Sequence, residues 1–356
     1  MSESESLNTL PTVEDVLSGM RKKLTGIIPD FEIQMKAELA YKIHVLKRER
    51  NAVILGHNYM EPALYHSVPD YVGDSLQLSA ISAETGAEVI VFCGVWFMGE
   101  TAKVLSPDRT VLVPSLKAGC SLAEGISAAE VRDLKTRCPG VPVVTYVNTY
   151  AGVKAESDYC CTSGNAAKVV KHLLEQGHKR IIFLPDEFLA HNTADELGVA
   201  FIPVDALDSH SVPEDTPAVI GWGARCEVHE LFKPSDVDNI RRQYPEAVIL
   251  AHPECPPEVI AKVDIAGSTK RMVDFVEHEE APQYALLTEC NMGENLAAQF
   301  PKLEMVRACS LRCKHMNTIT LEDTVAALEH MQHEVKLDED IIRRARTPID
   351  RMLQIR

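Results

Sequence analysis

Three stretches of the chain repeat the same order of polar and apolar positions. Each begins with a polar amphipathic segment, and these segments are 36–50, 128–137 and 235–244. A short β-branched segment follows each of them, at 52–57, 143–148 and 247–252. The first set predicts helices, and continuous apolar runs of the second kind are typical of buried parallel strands.

A polar turn with a helix-capping residue follows each predicted strand. The turns are 73–75, 162–164 and 267–269. Their Ser, Thr and Asp side chains favour helix starts because they accept hydrogen bonds from the unpaired N–H groups of a first helical turn. The helices predicted after these turns are 76–85, 165–176 and 270–278. The second predicted strands are 88–92, 180–184 and 284–288. The third predicted strands are 110–114, 218–222 and 303–306.

Alternating strands and helices of this kind predict parallel α/β units with right-handed crossovers. We therefore expect an α/β fold of three similar three-layer αβα units with small parallel sheets, related by pseudo-threefold symmetry. Their predicted limits are 36–127, 128–234 and 235–333. Residues 1–35 are predicted to be a lead-in with a helix at 13–24, and 334–356 to contain a closing helix at 339–353 that packs back on the first unit.

Composition and charge narrow the function. The chain has 356 residues and a net charge of −16, with 52 acidic against 36 basic residues. Such a surface repels nucleic acid and anionic membranes, so local donors must bind any anionic substrate. Residues 1–7 lack the basic and apolar regions of a signal peptide, and the longest apolar run, 89–98, is about half of a membrane span. We therefore expect a cytoplasmic protein.

Three of the ten cysteines occupy equivalent positions in the repeat. Cys120 lies seven residues after Val113, Cys226 six after Ile220 and Cys313 seven after Val306, each counted from the third predicted strand of its unit. Cys309 lies only three residues after Val306. Equivalent positions in three packed units can converge on one point. Zinc is one possible ligand, although structural zinc sites usually take four ligands with close CxxC-type pairs. A 4Fe–4S cluster accepts thiolates from distant parts of a chain, and three cysteines would leave one iron open.

Polar residues at the predicted strand ends are the second candidate feature. In open parallel sheets, ligands bind beyond the carboxyl ends of the strands. His57 and His252 sit at equivalent ends, with Tyr59 and Glu254 two residues further on. These residues suit acid–base chemistry or substrate contact. The capped helix starts supply free N–H groups that bind phosphate and carboxylate.

Nine short segments, in this order and spacing, resemble those of the quinolinate synthase family of bacterial NAD biosynthesis. The segments lie between about residue 36 and residue 334 and are Leu55-Gly-His-Asn-Tyr59, Val72-Gly-Asp-Ser-Leu-Gln77, Lys117-Ala-Gly-Cys-Ser-Leu122, Tyr146-Val-Asn148, Thr162-Ser-Gly-Asn-Ala166, Cys226-Glu-Val-His229, His252-Pro-Glu-Cys255, Gly267-Ser-Thr269 and Cys313-Lys-His-Met316.

The resemblance implies three pseudo-symmetric domains around a central 4Fe–4S cluster, and a transferase that condenses iminoaspartate with dihydroxyacetone phosphate to quinolinate, releasing phosphate and two waters. It implies Cys120, Cys226 and Cys313 as cluster ligands, and Tyr59, His57, Tyr146 and Glu254 as catalytic residues. The implied substrate-binding residues are His57, Ser75, Tyr146, Val147, Asn148, Ser163, His252, Pro253, Glu254 and Thr269. It also implies functional coupling to L-aspartate oxidase or aspartate dehydrogenase, which would supply iminoaspartate.

The chain departs from the family around the third ligand. Many members have Cys-Pro there, whereas this chain has Cys309-Ser-Leu-Arg-Cys313-Lys. The Cys-x-x-Met pattern and the repeat both favour Cys313 over Cys309. A separation of four residues also permits a disulfide between the two, which would switch the cluster site off.

Two other functions remain open from the sequence. One is a different cluster-dependent hydro-lyase that uses the same open iron on a hydroxy acid. The other is a non-enzymatic binding or redox-sensing protein, which would not need the row of His, Tyr, Asn and Glu at the strand ends. In the enzymatic interpretation the open iron acts as a Lewis acid on a leaving hydroxyl, and Glu254 is a candidate base.

Overall fold

Three small parallel β-sheets form the framework of the molecule. The computed structural model describes residues 10–209, 211–306 and 311–355. Two sheets have four strands and one has five, and helices flank all of them. The α/β class with three αβα units, which the repeat predicts, is therefore confirmed. Each sheet takes its strands from one of the three predicted segments, while the exact limits of the segments stay a prediction.

The first sheet has the strand order β2-β1-β3-β4. Its strands are β1 Ala52–His57, β2 Tyr71–Gly73, β3 Val89–Cys93 and β4 Thr110–Leu112. The helices in this part of the chain are α1 Val13–Leu24, α2 Asp30–Glu49, α3 Pro62–Tyr65, α4 Ser75–Glu84, α5 Trp96–Leu105 and α6 Ser121–Glu124. The four strands are parallel, so their carboxyl ends lie at one edge of the sheet.

The second sheet has the order β6-β5-β7-β9-β8. Its strands are β5 Val143–Tyr146, β6 Tyr159–Cys161, β7 Arg180–Leu184, β8 Ala200–Pro203 and β9 Ala218–Gly221. Its helices are α7 Ala128–Arg137, α8 Ala151–Ala155, α9 Ala166–Glu175 and α10 Glu187–Leu197. Apart from the added β8, the order matches the first sheet.

The third sheet repeats the order of the first as β11-β10-β12-β13. Its strands are β10 Ala247–Ala251, β11 Ile265–Ala266, β12 Gln283–Leu287 and β13 Met305–Val306. The helices are α11 Pro234–Gln243, α12 Pro257–Ile260, α13 Thr269–His278, α14 Cys290–Gln299, α15 Leu321–His330 and α16 Glu339–Gln354.

Burial explains why these segments are strands. Every residue of β3 and β5 is buried, as expected when helices cover both faces of a parallel sheet. One continuous apolar core joins the first and second units and includes Ile54 of β1, Val144 of β5 and Ile349 of α16. The third unit has two apolar cores of its own. The first two units are thus joined by apolar packing.

Several predicted boundaries were wrong. The helix expected at 36–50 begins earlier, at Asp30, because Pro29 caps it with its fixed φ. The helix expected at 165–176 spans Ala166–Glu175. It begins one residue late because the side chain of Asn165 accepts from the N–H of Thr162 and closes a turn first. The short edge strands β2, β6 and β11 were not predicted, since two or three residues carry too little periodicity.

The closing helix α16 packs differently from the prediction. It lies mainly against α8 and β6 of the second unit, and it also contacts α5 of the first. Its carbonyls at Met352 and Ile355 accept hydrogen bonds from the side chain of Asn165. The helix therefore bridges two units instead of returning to the first alone.

None of the helices in the described ranges combines the length and the apolar character needed to cross a membrane.

Candidate active site

One pocket is lined by residues from all three units. Twelve of the fourteen residues predicted for the site line it. They are His57, Tyr59, Ser75, Cys120, Tyr146, Asn148, Ser163, Cys226, His252, Glu254, Thr269 and Cys313. Because the strands of each sheet are parallel, the loops at their carboxyl ends share one edge, and the three edges meet at this pocket.

The three predicted cysteines bring free thiols to the same pocket. Cys120 is the N-cap residue of α6, Cys226 follows β9, and the N–H of Cys313 donates to Oε1 of Glu289 at 3.3 Å. Burial raises the pKa of Cys120 to about 12 and that of Cys313 to about 11, and it raises the pKa of Cys226 well above its usual value. A neighbouring thiolate raises the pKa of each thiol further, so ionisation of all three thiols requires a cation beside them.

The pocket lining fits a thiolate-bound metal group. It contains four carboxyl side chains, those of Asp74, Glu227, Glu254 and Glu289, and among the described residues that line it there is no Lys or Arg. Three convergent thiolates among acidic groups would be unstable without a metal's positive charge. Sulfur donors select soft or borderline metals, as in iron–sulfur clusters and zinc sites. The donor set therefore fits the group that the cysteine register predicts.

A second group of donors overlaps with the first. Cys226, His229 and Glu254 place their ligand atoms within 4.8 Å of one another. His229 Nδ1 lies 2.7 Å from Oε2 of Glu254 and 3.2 Å from Sγ of Cys226. These are hydrogen-bond distances, so His229 connects a candidate ligand to the carboxylate.

The two predicted histidines are held by the same backbone geometry. The N–H of Tyr59 donates to Nδ1 of His57 at 3.2 Å, and the N–H of Glu254 donates to Nδ1 of His252 at 3.3 Å. Nδ1 therefore accepts, and the neutral ring carries its proton on Nε2. Burial lowers the pKa of His57 to about 4 and that of His252 to about 3. Both rings are neutral near pH 7 and can donate from Nε2.

Glu254 is the ionised group of the site. Burial opposes its ionisation, but the neighbouring His252 and His229 and hydrogen bonds from His229 and Tyr146 hold its pKa well below the usual range. The amide of Asn148 is a further donor, 3.4 Å from Oε1. Burial, and then the charge of Glu254, raise the pKa of Tyr146 well above its usual value. The phenol thus stays protonated beside the carboxylate.

A chain of hydrogen bonds connects Tyr59 to Glu254. The hydroxyl of Tyr59 lies 2.6 Å from Oγ1 of Thr288, which lies 2.9 Å from Nε2 of His229. Nδ1 of His229 completes the path to Glu254. Because Nδ1 donates to the carboxylate, Nε2 accepts from Thr288, and Thr288 accepts from Tyr59. The path can carry a proton between a phenol and a carboxylate in different units.

Two helix N-termini also face the pocket. Asp74 caps α4, which begins at Ser75, and Ser268 caps α13, which begins at Thr269. Oγ1 of Thr269 accepts from the amide of Asn58 at 2.9 Å, which ties the third unit to the first. Ser163 reaches the pocket from the turn before α9, and its Oγ lies 3.2 Å from Nε2 of His252. Hydroxyl and N–H groups therefore surround the pocket from all three units.

The comparison with known families decides what kind of chain this is. The sequence profile of the quinolinate synthetase A protein family matches residues 41–354. The chain belongs to the quinolinate synthetase A protein family.

Curated relatives agree with that membership. A protein named quinolinate synthase 2 from Mesorhizobium japonicum is 47% identical over 97% of this chain and 100% of its own length. A quinolinate synthase from Caulobacter vibrioides is 44% identical over 97% of this chain and 89% of its own. One from Xylella fastidiosa is 48% identical over 88% of this chain and 86% of its own. The similarity thus spans all three units.

Two residues predicted for this family's substrate site do not line the pocket. Val147 is buried, and its N–H donates to the carbonyl of Cys161 in β6. Pro253 points its carbonyl at Asn192 and borders a separate cavity between the second and third units. Both residues make backbone hydrogen bonds that hold their loops.

His229 and Thr288 were not predicted as site residues. His229 lies three residues after Cys226, and this Cys-x-x-His spacing was a usable signal. Thr288 directly follows β12, at the position that the sheet registers align with Gly94 after β3, and it carries no motif of its own. Its place between Tyr59 and His229 depends on how the units pack.

The disulfide that the spacing of Cys309 and Cys313 permits involves a residue that the structure does not describe. Cys313 has a free thiol, and Cys309 lies outside the described residues. The thiol of Cys313 is therefore available to a metal.

Proposed function

We propose that the protein is a quinolinate synthase, a transferase that condenses iminoaspartate with dihydroxyacetone phosphate to quinolinate, releasing phosphate and two waters, in NAD biosynthesis. One observation carries the proposal. In a chain of this family, three cysteines at equivalent positions share a pocket with Glu254, the buried Tyr146, the partly buried Tyr59 and two neutral histidines. No oxidant is required, because the two substrates contain all the atoms of the products.

Substrate binding rests on uncharged donors. The substrates carry two carboxylates and a phosphate, and the lining residues in the described part of the chain include no Lys or Arg. The first turns of α4 and α13, the hydroxyl of Ser163 and the Nε2–H groups of His57 and His252 are the available donors. Helix N-termini bind anions in this way through free N–H groups and the helix dipole.

Proton transfer is assigned to Glu254 and the tyrosines. The ionised Glu254 accepts the proton lost from a carbon or nitrogen of the bound substrate, which is the role of a general base. Tyr146, which hydrogen-bonds to Glu254, and Tyr59 hold protons that can be donated to a developing alkoxide or leaving hydroxyl. The path through Thr288 and His229 returns a proton from one group to the other.

A 4Fe–4S cluster is proposed as the resident cofactor, held by Cys120, Cys226 and Cys313. When bound, it supplies Lewis acidity at an iron that lacks a cysteine ligand. Excluding water is the protein's own contribution, since His57, His252 and Glu254 are each less than 5% exposed.

The proposal extends to supply and location. Iminoaspartate is unstable in water, so an enzyme such as L-aspartate oxidase or aspartate dehydrogenase must produce it close by. Cytoplasmic synthesis is proposed, because a reducing compartment favours free thiols and an intact cluster.

Anaerobic purification followed by iron and sulfide analysis is the first test. We expect about four irons and four sulfides per chain, and quinolinate as a product that requires dihydroxyacetone phosphate. Cys120→Ser should abolish both the cluster absorbance and the activity. Cys138→Ser is the matched control, because Cys138 lies in the core of the second unit, away from the pocket.

Two outcomes would contradict the proposal. Four irons and full turnover in the Cys120→Ser protein would exclude Cys120 as a ligand. A cluster with no quinolinate, but with dehydration of hydroxy acids, would instead identify a different cluster-dependent hydro-lyase.

A further inference from the structure

Two buried asparagines make the same unusual contact with the two histidine loops. Nδ2 of Asn295 in α14 donates to the carbonyls of Asn58 and Met60, at 3.1 and 2.9 Å. Nδ2 of Asn192 in α10 donates to the carbonyls of Pro253 and Cys255, at 2.8 and 2.9 Å. In each case the two accepting carbonyls belong to the residues one and three positions after the loop histidine, which is His57 or His252.

The two contacts are also equivalent in the fold. Asn192 lies on the helix after β7 and contacts the loop after β10. Asn295 lies on the helix after β12, the equivalent strand of the third unit, and contacts the loop after β1. Asn192 of the second unit contacts the third, and Asn295 of the third unit contacts the first. The asparagines are 8% and 3% exposed, so water does not replace these bonds.

The first unit completes the ring with different groups. Oε2 of Glu100 in α5 accepts from the N–H of Ala151 at 2.6 Å, which is the contact from the first unit to the second. Within the second unit, Nζ of Lys154 in α8 donates to the carbonyl of Thr149. The hydroxyl of Thr149 in turn donates to the carbonyl of Tyr146 at 3.1 Å. Each unit thus contacts the strand-end loop of the next unit in a closed cycle.

We infer that Asn192 and Asn295 are positioning residues: each sets the catalytic loop of the neighbouring unit by cross-linking the two carbonyls that flank its reactive residue. For Asn192 that residue is Glu254, and for Asn295 it is Tyr59. The kinetic part of the inference rests on the proposed function, whereas the structural part does not.

The loop geometry explains why two carbonyls matter. In the first loop, the N–H groups of Tyr59 and Met60 bond to Nδ1 and O of His57. In the third-unit loop, the N–H groups of Glu254 and Cys255 bond to Nδ1 and O of His252. The carbonyl of Asn58 shares a peptide plane with the N–H of Tyr59, and the carbonyl of Pro253 shares one with the N–H of Glu254. Fixing these carbonyls therefore orients the N–H that holds each imidazole, and the second carbonyl fixes the far side of the reactive residue. A single side-chain amide therefore controls both the histidine and the residue two positions later.

Hydrogen exchange of the anaerobically purified full-length protein tests the structural part. Asn192→Leu, which conserves volume but removes the donor, should speed exchange at residues 254 and 255 by about tenfold or more and leave 59 and 60 unchanged. Asn295→Leu should do the reverse. Each variant is the matched control of the other, and Asn192→Ala and Asn295→Ala repeat the test with a smaller side chain if a leucine variant does not fold.

Steady-state kinetics tests the catalytic part. A displacement of about 1 Å in a catalytic group costs about 100-fold in rate, so each variant should lower kcat by 10- to 100-fold with a smaller change in KM. In a Glu254→Gln background, Asn192→Leu should lower kcat by a smaller factor than in the unmodified protein, because much of its effect acts through Glu254. Ser82→Ala removes a buried hydrogen bond within α4 and controls for general destabilisation.

The outcomes separate the two proposals. Equal exchange changes in both loops, or none in either, would overturn the inference, as would a full further loss of kcat in the Glu254→Gln background. If the unmodified protein makes no quinolinate, the proposed function fails, and the exchange data alone decide whether the asparagines hold the loops.

Discussion

The loops after β1 and β10 have the same backbone hydrogen-bond pattern but carry side chains of different chemistry. In both, a buried histidine accepts at Nδ1 from the N–H two residues later, and its carbonyl accepts from the N–H three residues later. The residue two positions after the histidine is Tyr59 in one loop and Glu254 in the other. One is a phenol whose pKa is raised well above normal by burial, and the other is an ionised carboxylate.

The difference shows how a repeated fold produces an asymmetric site. The shared backbone fixes two neutral imidazoles, while the exchanged residue supplies a proton donor on one side and a base on the other. Thr288 and His229 then connect the two across the pocket. Acid–base groups with pKa values moved in opposite directions are the arrangement expected of a catalytic pair.

The strongest way to break the comparison is to remove the charge of Glu254. Glu254→Gln should lower kcat by about 10³- to 10⁴-fold, because the general base is lost while the loop backbone is retained. Steady-state quinolinate formation measures the effect. Glu258→Gln, at an exposed position in α12, should leave kcat unchanged. A fall of less than tenfold would remove Glu254 from the base role.

Acid sensitivity tests whether the imidazoles are neutral. The pKa of His57 is about 4 in the fold, against an ordinary value of 6.5, so the unfolded chain binds the extra proton first as pH falls. Its contribution to stability is complete above about pH 6.5 and is lost towards pH 4, amounting to about 2–3 kcal/mol. His252 extends the window to about pH 3.

Chemical unfolding at pH 7 and pH 4.5 measures this difference. His57→Gln should lose about 2–3 kcal/mol less than the unmodified protein between the two pH values. Equal losses in both proteins would mean that His57 is protonated in the folded state.

Tyr59→Phe tests the proton donor of the first loop. We expect kcat to fall by about 100-fold, because a proton donor is lost from the pocket. Tyr159→Phe, in β6, is the control. A solvent isotope effect that differs between Tyr59→Phe and the unmodified protein would place the phenol in a proton-transfer step, and an unchanged kcat would contradict the assignment.

The smallest expected effect comes from cutting the path between the loops. Thr288→Val conserves shape and removes the hydroxyl that joins Tyr59 to His229, so we expect about a tenfold fall in kcat, near the loss of one hydrogen bond. Thr324→Val, at a buried position in α15, is the matched control. Equal kinetics in both variants would show that the path carries no proton.

Most of the framework could be predicted from the sequence because it is periodic. β1, β7, α1 and α7 begin and end where the pattern of apolar and capping residues places them. The two histidines and three cysteines could be found because they recur at equivalent places in the repeat. The cluster and the substrates stay predictions, since they follow from the family resemblance.

The remaining features depend on packing between units, which local patterns do not encode. Thr288 belongs to the site only because the third unit places it 2.6 Å from Tyr59 of the first. Asn192 and Asn295 are single polar residues on amphipathic helices, where the usual expectation is solvent exposure. The sequence does not show whether α9 begins at Asn165 or just after it, because Ser163 and Asn165 are both good capping residues.

The sheets are built from contacts that are local in sequence, whereas the pocket is built from distant ones, and this difference affects the order in which the molecule folds. Every sheet pairs strands from one contiguous part of the chain, so its contacts are comparatively local and can form early. The pocket joins residues that are 211 and 229 positions apart, at Asn58–Thr269 and Tyr59–Thr288. During synthesis, the sheets of the first two units can therefore form before the third unit has left the ribosome. Their shared apolar core is completed only later, because it includes Ile349 of the C-terminal helix α16. The three cysteines share one pocket only at the end, after the chain that carries Cys313 is complete.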